Sequence, residues 1–253
     1  MLITKDLDKG QHFLVDNEII KKEVAFANIS KKDRIIEIGA GGGNLTAELV
    51  KKADEVLAFE IDKRYAKKLE SLKKKNKNLK IIYDDAFNYS WKNYTKIVSN
   101  IPYFISEQLI NKAIKDETPE MTLIVGEKFK EKLSISQKSK IGIISNLFYD
   151  IEFALKVNKK CFSPQPRVNS WLIKLKKKEK FSDMESILIS ILRRSGKLKN
   201  AIIYSLVKKG WTKKESKRII KDMNIQEQVL EKPISRITGK FLIRLAENLE
   251  KIK

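Results

Sequence analysis

Short apolar runs alternate along the first half of the chain with segments in which apolar residues recur at helical spacing. The runs are rich in β-branched residues, which predicts strands. They cover residues 34–38, 55–60, 80–83, 96–100 and 121–125. Helices are predicted at residues 17–29, 44–51, 64–72 and 106–114. Because strands that alternate with helices build βαβ units, this half is predicted to be an α/β domain around a mainly parallel sheet.

The pattern changes after Leu175. Residues 176–180 are almost all lysine, which is typical of a linker or an exposed edge. No clear strand pattern follows, and helical spacing predicts helices at residues 186–194, 198–207, 213–223 and 240–249. The sequence therefore predicts two domains, an α/β domain over residues 1–175 and a small all-helical domain over residues 176–253.

The charge of the chain indicates a polyanionic partner. Its 253 residues include 53 Lys and Arg against 32 Asp and Glu, a net charge of +21. Residues 176–253 carry 21 basic and 9 acidic side chains, a net +12, which leaves +9 for residues 1–175. The charge is densest in the helical part, where we expect nucleic acid to bind. An anionic membrane surface is disfavoured as a partner because the basic helices lack apolar faces rich in Trp or Phe.

Two residue counts exclude several kinds of site. The single cysteine, Cys161, excludes an intramolecular disulfide, and the single histidine, His12, excludes a two-histidine metal site. No metal is therefore expected. The N-terminus lacks an apolar signal core, and no apolar run approaches the roughly 20 residues that span a bilayer. We therefore expect a cytoplasmic protein that does not enter a membrane.

A glycine-rich turn follows the first predicted strand of the sheet. Residues 37–43 read E-I-G-A-G-G-G, and Glu60 ends the next strand. Glycines permit a tight turn and a close approach of a ligand, and an acid placed like Glu60 can accept hydrogen bonds from both ribose hydroxyls of a nucleoside. The pattern indicates an adenosine-containing cofactor. S-adenosylmethionine is favoured over NAD because Asn44 stands where the dinucleotide fingerprint has its last glycine.

A pair of acids follows the third predicted strand. Asp84 and Asp85 precede Ala86, and a carboxylate at this position can accept a hydrogen bond from the exocyclic amine of an adenine ring. Asp is also common at strand ends and in turns, so the pair is unspecific by itself. It gains weight because Glu60 stands at the matching place on the preceding strand.

The most specific motif is Asn100-Ile101-Pro102-Tyr103, at the end of the fourth predicted strand. Open α/β sheets bind their ligands at this edge. The amino nitrogen of adenine is a poor nucleophile because its lone pair is delocalised into the ring. The Asn100 side-chain oxygen and the Ile101 carbonyl could hold the two hydrogens of that amine, which favours a tetrahedral and more nucleophilic nitrogen. Pro102 would fix the backbone, and Tyr103 could stack on the base.

Five motifs together resemble the rRNA adenine N6-dimethyltransferase family, which includes KsgA-type enzymes of the small ribosomal subunit and Erm methylases of the large subunit. They follow the family's order and spacing over most of the chain. They are G-Q-H-F-L-V-D at 10–16, E-I-G-A-G-G-G-N-L-T at 37–46, F-E-I-D at 59–62, N-I-P-Y-F-I-S at 100–106 and F-S-P-Q-P-R-V-N-S at 162–170. The resemblance implies a Rossmann-like class I methyltransferase domain, with a sheet of about seven strands, and a small all-helical C-terminal domain.

The resemblance also implies roles at the matching positions. Gly39 would approach the methionine part of the cofactor, Glu60 the ribose and Asp85 the adenine. Tyr103 and Phe162 would sandwich the flipped target base. The expected catalytic residues are Asn100, Ile101, Pro102, Tyr103 and Phe162. The expected S-adenosylmethionine-binding residues are Gln11, His12, Leu14, Gly39, Gly41, Glu60, Ile61, Asp85, Ala86 and Asn100. The expected RNA-binding residues are Arg193, Arg194, Lys197 and Lys199.

The chain departs from the family pattern at three places. His12 stands where many members carry Asn. Residues 126–128 read G-E-K where the family usually has Q-K-E. Residues 141–145 read I-G-I-I-S in place of the Tyr-Gly-Arg-Leu-Ser segment of many members, which removes an arginine from the first domain. None of these changes touches the segment from Asn100 to Tyr103.

The resemblance implies transfer of methyl groups from S-adenosylmethionine to the N6 amine of adenine in rRNA. Residues 161–164 and 233–249 resemble the KsgA-type members more than the Erm methylases. The expected substrate is therefore two adjacent adenines in a hairpin near the 3′ end of small-subunit rRNA, and the expected role is ribosome small-subunit biogenesis. We expect rRNA in an immature small subunit as partner, and a monomer. An Erm-type large-subunit methyltransferase, a non-catalytic ribosome-assembly factor and a DNA adenine methyltransferase stay open as alternatives.

Overall fold

The computed structural model describes residues 12–134 and 139–251. The strands are β1 (Phe13–Leu14), β2 (Arg34–Ile38), β3 (Glu55–Phe59), β4 (Leu79–Ile82), β5 (Lys96–Asn100), β6 (Glu120–Gly126), β7 (Tyr149–Val157), β8 (Phe162–Ser163) and β9 (Ser170–Lys177). The helices are α1 (Asn17–Phe26), α2 (Asn44–Lys52), α3 (Ala66–Lys75), α4 (Ser106–Lys115), α5 (Glu127–Leu133), α6 (Lys140–Phe148), α7 (Asp183–Leu192), α8 (Leu198–Lys208), α9 (Lys213–Asp222), α10 (Glu227–Leu230) and α11 (Gly239–Glu250).

The described residues form two compact units. The first comprises residues 12–131 and 150–177, and the second comprises 132–134, 139–149 and 178–251. The second unit thus takes in α6 and its flanks, which the sequence-based division had left in the α/β domain. The reason is packing, because α6 buries Ile141, Leu147 and Phe148 and contacts α7 and α11.

The first unit is built on a seven-stranded sheet in the order β4-β3-β2-β5-β6-β9-β7. Strands β2 to β6 pair in parallel, and β9 pairs antiparallel with β6. The predicted α/β class and mainly parallel sheet are thereby confirmed. The antiparallel strand β9 and the edge strand β7 were not predicted. A separate two-stranded ladder joins β1 to β8, with Leu14 opposite Phe162.

The central strands are apolar because both faces of the sheet are covered. Ile35, Ile36, Ile97 and Val98 are fully buried, as expected for a parallel sheet between helices. The backbone register between β2 and β5 covers only Ile35–Ile36 and Lys96–Ile97. Beyond this register, the Ser99 side chain joins β5 to β2. Its Oγ donates to the Ile38 carbonyl over 2.6 Å and accepts from the Ile38 N–H over 3.2 Å. A side chain therefore holds the two strands where the ladder ends.

The second unit is helical, as the sequence predicts, and its helices begin at well-defined caps. Ser182 with Glu185 and Thr212 with Glu215 form capping boxes at the starts of α7 and α9. The helices bury an apolar face formed by Ile187, Leu188, Ile191, Leu198, Ala201, Ile202, Leu206, Leu242, Leu245 and Leu249. Among residues 12–134 and 139–251, no helix is both long enough and apolar enough to cross a membrane.

The Ser99 bridge between β2 and β5 yields a stability prediction. Ser99→Ala removes both bonds and leaves a buried N–H and a buried carbonyl of Ile38 without that partner. We expect the free energy of unfolding to fall by about 1–3 kcal/mol, measured by urea denaturation. The matched control is Ser71→Ala, an exposed serine of α3, which should stay within about 0.5 kcal/mol of the parent chain. Equal effects of the two substitutions would show that the bridge is unimportant.

Candidate active site

A cavity lies at the carboxyl ends of the central strands. β2 leads through α2 to β3 on one side, and β5 leads through α4 to β6 on the other, so the winding of the sheet reverses between β2 and β5. Open α/β sheets bind ligands at such a reversal. The cavity has a volume of about 290 Å³. The predicted site residues that line it are His12, Leu14, Gly39, Glu60, Ile61, Asp85, Ala86, Asn100, Ile101, Pro102 and Tyr103.

The glycine-rich turn forms one wall of this cavity. Gly39 has φ +79°, and its N–H donates to the Phe59 carbonyl over 2.8 Å. A Cβ on Gly39 would meet no atom within 4 Å, so the backbone here opens on free space. Gly43, with φ +84°, is the residue before α2 begins. The glycines are therefore required for the left-handed turn as well as for access to the cavity.

Glu60 is fixed by backbone donors at the end of β3. One carboxylate oxygen accepts from the Gly41 N–H and the other from the Asp62 N–H, each over 2.7 Å. The carboxyl is buried, and burial raises its pKa, although the two backbone bonds oppose the rise. A carboxylate has about four acceptor positions, and the backbone donors of Gly41, Ile61 and Asp62 do not fill them all, so the carboxylate can still accept from a ligand. Gly41 itself does not line the cavity but orients Glu60.

Both acids after β4 line the cavity. Asp85 is half-buried, and its Oδ1 caps the following turn by accepting from the Phe87 N–H over 2.9 Å. Asp84 is exposed, and its oxygens accept from the Asp85 N–H and from the Tyr89 hydroxyl. The geometry thus brings Asp84 to the cavity as well as Asp85, while the preference for Asp85 stays a prediction.

The segment from Asn100 to Tyr103 forms the opposite wall. Asn100 ends β5 and its side chain makes no hydrogen bond with the rest of the described chain. Pro102 starts a short 3-10 turn in which its carbonyl accepts from the Ile105 N–H over 3.1 Å. The Tyr103 hydroxyl lies 2.7 Å from Ser170 Oγ, and burial raises the pKa of that phenol. The motif therefore combines an unengaged amide with a tethered aromatic ring.

Gly126 explains how the Tyr103 ring fits. A Cβ at position 126 would lie 3.0–3.2 Å from three atoms of this ring. The ring therefore packs directly on the Gly126 backbone at the end of β6. The family's usual glutamine at this place would require the ring to shift, so the departure found in the sequence accommodates this position of Tyr103.

The N-terminal motif reaches the cavity through two described residues. His12 lines it, with Nδ1 2.8 Å from the Pro164 carbonyl and its ring centre 6.1 Å from that of Tyr103. Leu14 lines it as well, and its carbonyl accepts from Asn44 Nδ2 over 3.3 Å. Gln11, the other predicted cofactor-binding residue of this motif, lies outside the described residues.

Phe162 is placed differently from the other predicted site residues. Only 4% of it is exposed, and it belongs to the core beside Leu14 rather than to the cavity lining. Its stacking role stays a prediction that would require movement of this segment. The neighbouring Cys161 donates to Asp16 Oδ2 over 3.3 Å, and burial raises the pKa of its thiol. Across the described ranges, no group of three or more His, Cys, Asp or Glu side chains could hold a metal ion.

Comparison with known proteins settles the relationship that these motifs suggested. Residues 4–238 match the model of a family described as ribosomal RNA adenine dimethylase. The chain belongs to the ribosomal RNA adenine dimethylase family. A probable ribosomal RNA small subunit methyltransferase A from Methanococcus maripaludis is 31% identical over 245 residues, covering 90% of this chain and 93% of the relative. A relative of the same name from Methanosarcina barkeri is 32% identical over 251 residues, covering 94% and 82%.

Two solved structures share the fold of this dimethylase-family chain. A dimethyladenosine transferase from Plasmodium falciparum superposes with a TM-score of 0.67 at 24% identity, covering 95% of this chain and 98% of that one. The 23S rRNA methyltransferase ErmE superposes with a TM-score of 0.65 at 20% identity, covering 94% and 100%. The predicted Rossmann-like methyltransferase fold is thereby confirmed.

Sequence reasoning missed several residues that line the cavity of this dimethylase-family chain. Glu37 was part of the glycine-rich motif but was not assigned to the site. Phe104 and Gln108 follow the Asn100–Tyr103 motif and were not considered. A signal was available for Phe104, because it directly follows the four assigned residues Asn100 to Tyr103 within the family motif at 100–106. No pattern in the sequence distinguishes Gln108 from an ordinary polar residue on a helix.

Glu37, which lines the cavity, and Glu23 of α1 are buried carboxyl groups that repel each other. Glu37 ends up fully enclosed in β2, and burial raises its pKa to about 8, with repulsion from Glu60 adding to the rise. Glu23 of α1 is also fully buried, and neither of its oxygens has a hydrogen-bond partner. Burial, followed by repulsion from Glu37, raises the pKa of Glu23 well above its usual range. Glu37 is therefore expected to be protonated below neutral pH.

The four basic residues predicted to bind RNA all belong to the helical unit, and each contacts a neighbour. The Arg193 guanidinium lies 5.5 Å from the centre of the Phe148 ring, and that of Arg194 lies 3.6 Å from the centre of the Tyr204 ring. The two lysines are paired with acids, Lys197 with Glu231 over 2.6 Å and Lys199 with Glu227 over 2.6 Å. The arginine charges thus face aromatic rings, whereas the lysine charges are partly compensated.

The buried acids predict a stability that falls with rising pH. Glu37 has a folded-state pKa of about 8 against an unfolded value near 4.5, so between these values the folded chain holds a proton that the unfolded chain has lost. Stability should therefore fall from about pH 5 to about pH 8, while Glu37→Gln should flatten this slope and raise stability at the upper end. Urea unfolding across this pH range measures the free energy of unfolding, and Glu18→Gln, at an exposed glutamate, is the control. If the free energy of unfolding of Glu37→Gln changes with pH as steeply as that of the parent chain, Glu37 does not have a raised pKa.

Proposed function

We propose that this chain transfers methyl groups from S-adenosylmethionine to the N6 amine of two adjacent adenines in the 3′-end hairpin of small-subunit rRNA, and thereby supports small-subunit biogenesis. The observation that carries the proposal is one cavity lined by Asn100, Tyr103, Gly39, Glu60 and Asp85 together. It joins the features expected of a nucleoside-cofactor site to those expected of an adenine amine site. The small-subunit names of the relatives support this substrate over a large-subunit one.

The cavity residues fit S-adenosylmethionine. Gly39 opens on free space, which suits close contact with the methionine part. Glu60 retains acceptor positions for the ribose hydroxyls, and Asp85 retains one oxygen without a partner in the described chain for the adenine amine. Leu14 and Ile61 add apolar wall on which the adenosine would rest. The bound cofactor would supply a methyl group on a sulfonium, an electrophile that needs no metal to activate it.

The Asn100 segment supplies the groups that would hold the target amine. The Asn100 amide oxygen and the Ile101 carbonyl would accept hydrogen bonds from its two hydrogens, because the Asn100 side chain is not engaged elsewhere in the described chain. Tyr103, tethered through Ser170 and packed on Gly126, offers a rigid face for the base. These groups would act by position and fixed dipoles.

The chemistry requires no side-chain base. The nitrogen that receives a methyl group becomes cationic and strongly acidic, so its proton can leave to water. After one transfer the amine still carries one N–H, and a second transfer at the same nitrogen remains possible. The Asn100 oxygen and the Ile101 carbonyl would then hold one hydrogen between them rather than two.

We further propose that the natural partner is an immature small subunit and that the enzyme acts as a monomer. We also propose that the helical unit contacts the rRNA backbone through four basic residues, Arg193, Arg194, Lys197 and Lys199. The support is the net +12 of residues 176–253 and the cluster of these cations. Arg194 retains its guanidinium N–H donors while stacked on Tyr204, a geometry suited to phosphate oxygens.

Replacing Asn100 tests the amine-holding role. Asn100→Ala should lower the rate constant for methyl transfer by roughly 10²-fold or more, because one of two preorganised acceptors is lost. The affinity for rRNA should stay nearly unchanged. Labelled-methyl transfer to small subunits and filter binding measure the two quantities, with exposed Asn93→Ala as the matched control. A rate constant within a few-fold of the parent chain would refute the proposed mechanism.

Removing an acid tests the RNA-binding cluster. Glu231 lies 2.6 Å from Lys197 Nζ and 3.9 Å from Lys199 Nζ, so Glu231→Gln should release Lys197, while Lys199 keeps its closer partner Glu227, and should raise rRNA affinity a few-fold at low salt. The control Glu247→Gln changes the net charge equally on an exposed part of α11. Filter binding over a salt series measures both. Equal affinities of the two variants would place the RNA contact away from these lysines.

A further inference from the structure

Phe104 is exposed at the mouth of the cavity. Its exposed fraction is 74%, the highest among the large hydrophobic residues of the described chain. An exposed ring of this size forgoes the gain of burial, about 1.5–3 kcal/mol for a side chain such as Phe. Two other exposed apolar residues belong to the same region, because Ile61 also lines the cavity and Val15 follows Leu14, which does. Apolar surface is thus concentrated where the substrate must enter.

The backbone that carries Phe104 is fixed on both sides. Pro102 and Ile105 close the 3-10 turn by a backbone hydrogen bond of 3.1 Å, and the buried Ser106 donates to the Tyr103 carbonyl over 3.0 Å at the start of α4. The ring of Tyr103 is itself tethered to Ser170. Phe104 is therefore an exposed aromatic ring on a rigid turn, next in the chain to the ring expected to hold the target base.

The location of Phe104 restricts what can cover it. Consecutive nucleotides share one phosphodiester, so a target adenine inside the cavity places its neighbour at the mouth. Every nucleobase has a face that stacks on an aromatic ring, and such stacking requires no hydrogen-bond partner. The net charge of +21 of the whole chain favours RNA over an apolar protein segment as its partner.

We propose that Phe104 is a stacking platform for the base adjacent to the target adenine. The inference rests on the proposed function and extends it with a second base subsite outside the cavity. The second site explains how a pair of adjacent adenines could be presented in register, because one base enters the cavity while the other stacks on Phe104.

The test uses an RNA hairpin in which the base on one side of the target adenine, and then on the other, is replaced by 2-aminopurine. Stacking quenches the fluorescence of this base. Binding to the parent chain should quench it at one of the two positions. Phe104→Ala should abolish that quenching and weaken hairpin binding on the order of tenfold, whereas Phe104→Tyr should retain both within about threefold. Val207→Ala, which removes an apolar side chain that is 44% exposed on α8, is the control and should change neither.

Two further readouts separate the possible failures. In methyl transfer to small subunits, Phe104→Ala should raise KM with little change in kcat, and the dissociation constant of S-adenosylmethionine should not change. Equal quenching by the parent chain and Phe104→Ala, or no quenching at either position, would overturn the inference while leaving the proposed function intact. A parent chain that neither binds the hairpin nor methylates adenine would overturn the proposed function and this inference with it. If Phe104→Ala loses RNA affinity without any change in quenching, Phe104 contacts protein or the RNA backbone instead of a base.

Discussion

The reversal of the sheet between β2 and β5 is the constraint on which the rest of the structure depends. The two strands end side by side. The backbone after β2 then turns towards β3, whereas the backbone after β5 turns towards β6. The left-handed turn at Gly39 and the proline-fixed turn after Asn100 are the two solutions to this problem. Because backbone pairing stops early there, Ser99 holds the strands together from the side. The cavity is the space between the turn at Gly39 and the turn after Asn100.

The distribution of charge follows from the same arrangement. The cavity of a strongly basic chain is lined by acids, including Glu37, Glu60, Asp84 and Asp85. Burial raises the pKa of Glu37 and of Glu60, and a cationic ligand bound beside them would lower both pKa values again. The surplus of positive charge is concentrated instead in residues 176–253. The proposed cationic cofactor and polyanionic substrate would thus meet surfaces of opposite sign in different parts of one chain.

Much of the fold could be predicted because strong local patterns coincide with tertiary structure. The five parallel strands are short apolar runs, and buried parallel strands produce such runs. β7 lies at the edge of the sheet, and its sequence alternates polar with apolar residues. This alternation is itself a strand pattern, so β7 was predictable although it was missed. α6 escaped assignment to the helical unit because only packing against α7 and α11, distant in sequence, determines it.

The candidate site was predictable where residue type reflects chemistry and unpredictable where burial decides. Asn100, Glu60 and Asp85 stand at strand ends, so topology alone brings them together. Phe162 was expected to stack on the target adenine, but the pairing of β8 with β1 buries its side chain. Helical spacing from Ile20 to Ala27 does place Glu23 on the apolar face of α1. No pattern in the sequence shows that Glu37 of β2 lies near it.

Mapping the transferred methyl groups decides whether this chain methylates adenine in small-subunit rRNA. The most direct measurement incubates it with labelled S-adenosylmethionine and immature small or large ribosomal subunits, and then maps the labelled nucleotides. We expect dimethylated adjacent adenines in the small subunit and no label in the large one. Label confined to large-subunit rRNA would contradict the choice of substrate. Binding to small subunits without any transfer of label would contradict catalysis itself and favour a non-catalytic assembly factor.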